Sequence, residues 1–213
     1  MASDPSQRGG VPAAFPTLGG VPAAMTRVVT GHAPDGSSQI AMQSAPPRTD
    51  VFTHIPGMVS RLVWATPPCP SLPFGGIDPT VAVASFVPGP GETRFIVVTF
   101  PPDAVFGAAG FDAAAAVREN LALSPGLAER FEPDGMHTTP TVDYAIVLDG
   151  EIWLELDEGR SAHLRRHDVV VQNGTRHAWR NRSERPATLA FVLIGASGAA
   201  RDHTPFDTGN THD

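Results

Sequence analysis

His137, Thr139, Thr141 and Asp143 are spaced two apart along the segment HTTPTVD. In an extended strand residues at that spacing face one side, so a ring, two hydroxyls and a carboxylate form a single polar row. The same parity groups His177, Trp179 and Asn181 in HAWRN and turns Tyr144, Ala178 and Arg180 the other way. Asp143 lies between Val142 and Tyr144 in a strand that continues through Ile146 and Leu148. Burying a carboxylate there is costly unless it is paired or ligated, which points to a site; from an edge strand it would simply face water. So placed, it can serve as a general base.

Strands must hold these rows. TVDYAIVL, EIWLEL, DVVVQ, HAWRN and ATLAFVLI follow one another at short intervals, joined at Asp149-Gly150, Glu158-Gly159 and Asn173-Gly174. Those dipeptides tolerate positive φ and predict hairpin turns, and closely spaced strands with tight turns imply a sandwich or barrel. Upstream, TRVVT, SRLVWAT, VAVASFV and RFIVVTF read as strands punctuated by Pro and Gly. The stretch 111–131 is the convincingly helical one, with Asp112 as its cap and Pro125 splitting it into two short helices. The expected organisation is a disordered Pro/Gly/Ala-rich arm over 1–24, in which GGVPAA occurs twice, and then N-terminal strands over 25–110 packing on a barrel. A helical connection over 111–134, the barrel core over 135–196 and a flexible tail over 197–213 complete it.

Composition removes several functions. With a net charge of −7 the chain has no basic face to displace counterions from a phosphate backbone, so nucleic acid is not expected as a partner. All 15 basic residues are Arg. Schiff-base chemistry, a pyridoxal anchor and a phosphate-loop lysine are therefore excluded. Cys69 is the single cysteine, which rules out an intramolecular disulfide and a cysteine-rich zinc site. No apolar run approaches the roughly 18 residues of a membrane span, and a cytoplasmic protein without membrane association is expected. Arg94 and Arg176 are candidates to clamp a substrate carboxylate. His163 and His167, flanking an Arg pair, read as a solvated face, His32 and His54 fall in loops, and His203 and His212 fall in the tail.

The segments HTTPTVDYAIVLDG and QNGTRHAWRN resemble the two motifs of the cupin family, G-x5-H-x-H-x3-4-E-x6-G and P-x-G-x2-H-x3-N. His137 stands at the first histidine, Asp143 at the glutamate, Gly150 at the closing glycine, and Gly174, His177 and Asn181 at their counterparts. Thr139 replaces the second histidine and Gln172 the usual proline. The resemblance implies an all-β fold, a jelly-roll or double-stranded β-helix barrel, with the helical insertion near 111–131.

It also implies a site. His137, His177 and Asp143 would form a two-histidine, one-carboxylate set for a divalent transition metal (Fe, Mn, Ni or Zn), or Asp143, one methylene shorter than glutamate, would act as a base or steady a histidine without ligating. Thr139, Thr141, Trp179 and Asn181 are the expected substrate-binding residues. The expected function is a non-oxidative decarboxylase, dehydratase or isomerase acting on a small oxygenated organic acid or polyketide-like metabolite. An Fe(II)-dependent dioxygenase and a metal-free small-molecule binding module are the alternatives. The family also implies a homodimer paired through exposed sheet edges.

Overall fold

The computed structural model describes residues 25–198; the expected arm over 1–24 and nearly all of the tail, with His203 and His212, lie outside the described residues. The first half contributes β1 (Arg27–His32), β2 (Ser38–Ser44), β3 (Arg48–Val51), β4 (Val59–Thr66) and β5 (Thr93–Phe100). The helix α1 (Ala113–Leu123) follows. The second half supplies β6 (Thr141–Asp149), β7 (Glu151–Leu156), β8 (Ser161–Arg165), β9 (Val169–Asn173), β10 (His177–Arg180) and β11 (Ala187–Gly195).

These strands make a six-stranded sheet in the order β3-β4-β5-β11-β6-β9, a three-stranded sheet β10-β7-β8, and a separate β1-β2 hairpin. The two larger sheets close over one apolar core, in which Leu62, Val98, Val147 and Leu189 of the large sheet meet Ile152, Leu154 and Leu164 of the small one. Inward residues alternate with exposed ones along β6, whereas β4, β5 and β11 are buried on both faces, with Val63, Val97 and Ala190 in a second apolar cluster. The first-half strands do not lie against a finished barrel: β5 pairs along its length with β11, so β4 and β5 are part of its wall.

Two turn expectations are corrected. Glu158-Gly159 does join paired neighbours, with both residues at positive φ. Asp149-Gly150 and Asn173-Gly174 instead carry the chain from the large sheet to the small one, because β6 pairs with β11 and β9 while β7 and β10 pair with each other. They are corners, not hairpins. At Gly150, with φ of 75°, a Cβ would come within 2.6 Å of the Pro186 carbonyl oxygen, so the corner is tight as well as left-handed.

The segment VAVASFV is not a strand. Asp78 accepts from the Thr80 N–H, Pro79 fixes the first position, and Pro79–Ala82 forms a 3₁₀ turn that local capping favours over extension. In the helical stretch Asp112 caps α1 by accepting from the Ala115 N–H. The second expected helix shrinks to the 3₁₀ turn Ala128–Arg130 beyond Pro125. Glu119 of α1 accepts from the Thr53 and His54 N–H groups, both at 2.7 Å, and so fixes the helix across the loop between β3 and β4.

Candidate functional site

The polar row predicted from parity runs into the barrel. His137, Thr139, Thr141 and Asp143 are all buried, while Thr138, Pro140 and Val142 between them are only partly so. Thr141 opens β6, and Pro140 cannot donate to a ladder, so His137 precedes the strand and is held separately. Its backbone forms an antiparallel bridge with His177 in which each N–H donates to the other's carbonyl at 2.9 Å. The bridge brings the rings together, with centroids 4.3 Å apart.

The tautomer of His177 follows from its neighbour. Its Nδ1 lies 2.9 Å from the Thr175 carbonyl oxygen, which can only accept, so Nδ1 carries the hydrogen and Nε2 keeps its lone pair. Gly174, with φ of 60°, makes that corner possible: a Cβ there would sit 3.1 Å from the Thr139 carbonyl. His137 Nδ1 is buried with no hydrogen-bond partner. Burial first, and then the neighbouring His177, lower the His137 pKa to about 3, opposed by the Gly135 carbonyl. His177 is also lowered by burial, against its bond to Thr175.

Asp143 is shifted the other way. Burial raises its pKa to about 6, with the Thr141 hydroxyl opposing, and its Oδ1 is buried without a partner. The Thr141 hydroxyl donates to that of Thr139 at 2.8 Å. The site therefore combines two imidazoles held neutral with a carboxyl that changes protonation near neutral pH, the range in which a general acid or base is effective.

His137, Thr139, Asp143, His177, Trp179 and Asn181 line one cavity of about 610 Å³, within the range of small-molecule pockets, about 300–1,000 Å³. Thr141 stands behind Thr139 rather than on the cavity wall. Asn181 has its amide engaged within the protein: Nδ2 donates to the Phe100 and Arg185 carbonyls, and Oδ1 accepts from Ser183. Its position is that of a brace between β5 and the turn after β10. The remaining wall is largely apolar, with Phe86, Phe100, Phe131 and Phe191 among its rings, and Ala113, Ala116, Val117 and Asn120 of α1 cover one side.

The protein sequence matches no family model. It is 62% identical over 62 residues to phomopsin biosynthesis cluster protein C' of Diaporthe leptostromiformis, a match covering 29% of this chain and 33% of that one. A cupin-domain-containing oxidoreductase of Hypocrea virens is 39% identical over 62 residues, 28% of this chain and 32% of its own. The match thus spans about a third of the length of these curated relatives. Over that segment the chain is similar to proteins named for a cupin domain. Among solved structures, a Cupin 2 conserved barrel domain protein from Salinispora arenicola aligns with a TM-score of 0.31 and 15% identity over 49% of this chain and 65% of its own.

The expected metal ligands share a cavity but do not cluster. Among the described residues no three His, Cys, Asp or Glu side chains form a group that could hold a metal ion. The two-histidine, one-carboxylate set is therefore not assembled as a ligand group.

The expected arginine clamps are corrected too. Arg94 donates to Glu92 and to the Ser85 and Thr93 carbonyls. Arg176 is held by Glu132, Asp134 and Asp157, which raise its pKa further. Neither guanidinium is available to a substrate carboxylate. His163 stacks on Trp153 at 4.1 Å and bonds Glu151, outside the cavity.

Three residues near the site escaped the sequence reading. Asp103 and Phe131 both line the cavity, and Phe131 packs its ring 4.4 Å from that of His137. Gln172, noted only as a departure from proline, is buried opposite Asp143 on β9, and its Nε2 has no partner. The one signal for Gln172 was its even parity with Val170, which predicts an inward amide in an apolar strand.

Proposed function

We propose that this cupin is a non-oxidative biosynthetic enzyme of the decarboxylase, dehydratase or isomerase type, in which Asp143 moves a proton on a small, largely apolar metabolite. The observation that carries the reading is a carboxyl raised to about 6 that shares with two imidazoles a cavity large enough for a substrate. At neutral pH Asp143 is mainly ionised and accepts a proton; burial then stabilises its neutral form until the proton is returned. His177, with Nδ1 committed to Thr175, presents Nε2 as an acceptor, and Thr139 supplies a hydroxyl to an oxygen of the substrate.

The test needs no knowledge of the natural substrate. Enolisable aryl ketones such as phenylacetone are incubated with the protein in D₂O, and deuterium uptake at the α-carbon is followed by mass spectrometry. Protein-dependent uptake that Asp143→Asn abolishes supports the reading; uptake no faster than buffer, or unchanged in the variant, contradicts it.

An oxidoreductase is the second reading, favoured by the printed names of the relatives from Hypocrea virens and Neurospora crassa. Oxygen consumption, with elemental analysis of the protein beside its His137→Ala and His177→Ala variants, separates the two. As for partners, Tyr144, Ile146, Val169 and Val171 are exposed on one face of β6 and β9, and β9 is the edge of its sheet. An edge strand with a free hydrogen-bonding side can continue its ladder with a copy of itself across a twofold axis. A homodimer through this strand is the proposed assembly.

A further inference from the structure

The wall of the cavity has an order that proton transfer alone does not require. Six rings, those of Phe131, His137, His177, Trp179, Phe191 and Phe100, are successive neighbours, with centroid separations of 4.4, 4.3, 6.1, 5.4 and 6.3 Å. All six line the cavity. They form a continuous aromatic strip, and such rings favour offset or edge contacts with another π-system.

A second carboxylate stands at the far end of this strip. Asp103 lines the cavity and is fixed to Asn181, its N–H donating to the Asn181 carbonyl at 2.8 Å and its Oδ1 accepting the Asn181 N–H at 3.0 Å. Asn181 lies four residues beyond His177 on an extended run, about 13 Å along the strand at roughly 3.3 Å per residue. Asp103 is thus set apart along the strip from Asp143, and Glu132 and Asp134, both held by Arg176, also line the cavity.

Arg180 and Arg182 lie near enough to Asp103 to favour its ionised form, though burial outweighs them. The chain has no lysine. Among the described lining residues the one arginine is Arg180, whose Nε donates to Glu155 at 3.0 Å and whose Nη2 donates to the Asp134 carbonyl at 2.7 Å. An anionic ligand would bring its charge into a largely apolar enclosure lined by four carboxylates, whose one arginine is already engaged by Glu155 and the Asp134 carbonyl. A hydroxyl, amide or ammonium group would instead donate to Asp103.

We propose that the cavity selects an elongated aromatic molecule that is uncharged or cationic, laid along the ring strip with a donor group on Asp103, and that it rejects aromatic carboxylates. This deepens the reading above, resting on its premise that this cavity is the active site; it replaces the organic acid expected from the sequence and narrows the reaction to the dehydratase or isomerase type.

Calorimetric titration of the full-length chain at pH 8 with 2-naphthol, 2-naphthylmethylamine and 2-naphthoate tests it. The alcohol and amine are expected to bind at least about tenfold more tightly than the carboxylate, the scale of one uncompensated charge contact. In Asp103→Asn, which keeps an oxygen to accept the Asn181 N–H, the amine is expected to lose most of its advantage over the carboxylate; circular dichroism and the melting midpoint verify the fold. Naphthoate binding as tightly as the amine, an unchanged ranking in Asp103→Asn, or no binding of any probe overturns the proposal. Failure of this proposal and of the proton-transfer reading remain distinguishable: the expected ranking without deuterium uptake in the ketone assay leaves the specificity standing and removes Asp143's role, while uptake with a reversed ranking does the opposite.

Discussion

His137 and His177 face one another across a two-bond antiparallel bridge, with ring centroids 4.3 Å apart and both rings buried. Two imidazolium ions at that separation would repel each other without solvent to screen them, so the pair is held neutral. This decides how the protein responds to acid.

The folded pKa of His137 is depressed to about 3 from an unfolded value near 6.5. The unfolded chain takes up the proton first, so the stability contributed is complete above about pH 6.5 and is lost as pH falls towards 3. In urea unfolding at pH 8 and pH 4.5 the Asp143 linkage runs the other way, so the His137 contribution is read by difference: His137→Gln should fare better than the parent on acidification by about 2 kcal/mol. An identical loss in the variant would count against the neutral pair.

Asp143 has the opposite linkage. Its folded pKa is raised to about 6, so the fold prefers the neutral carboxyl, and stability falls as pH rises from about 4 through 6. Asp143→Asn is expected to gain about 2–3 kcal/mol at pH 8, the equivalent of roughly two pKa units, and nothing at pH 3.5. A destabilised variant at pH 8 would mean that the carboxylate is satisfied rather than strained.

The corner at Gly150 should be intolerant. A methyl group there meets both the positive φ and the Pro186 carbonyl, and Gly150→Ala is expected to lose about 2 kcal/mol or more. Gly159→Ala, equally left-handed but with open space around it, should lose less. Melting midpoints of the two variants give the comparison; equal losses would show that backbone conformation alone accounts for the effect.

If β9 pairs with its own copy, replacing Val169 by aspartate should convert a dimer to a monomer in sedimentation velocity without changing circular dichroism. A wild-type monomer at all concentrations would remove the homodimer.

Much of the inner face was legible because a strand has a strict period of two, and His137, Thr139, Thr141 and Asp143 keep it even across Pro140. The strands of the second half were legible for the same reason. What was not legible is which strand each one pairs with. Asp149-Gly150 and Asn173-Gly174 have hairpin chemistry, yet the partners of β6 and β9 come from elsewhere in the chain, and the same dipeptides serve as corners between sheets. Pairing also brings Asp103 to the cavity, since Asp103 follows β5 and touches Asn181, 78 residues later. Arg94 and Arg176 failed as clamps because each met acidic partners in the folded chain that periodicity does not reveal.

That a proton-moving carboxyl shares its cavity with two neutral imidazoles is tested by following the Asp143 carboxyl carbon by NMR. The protein is labelled with ¹³Cγ-aspartate, and Asp143→Asn assigns the resonance. The account predicts a midpoint at about 6, well above the remaining aspartates; a midpoint near the ordinary 3.8 would contradict it.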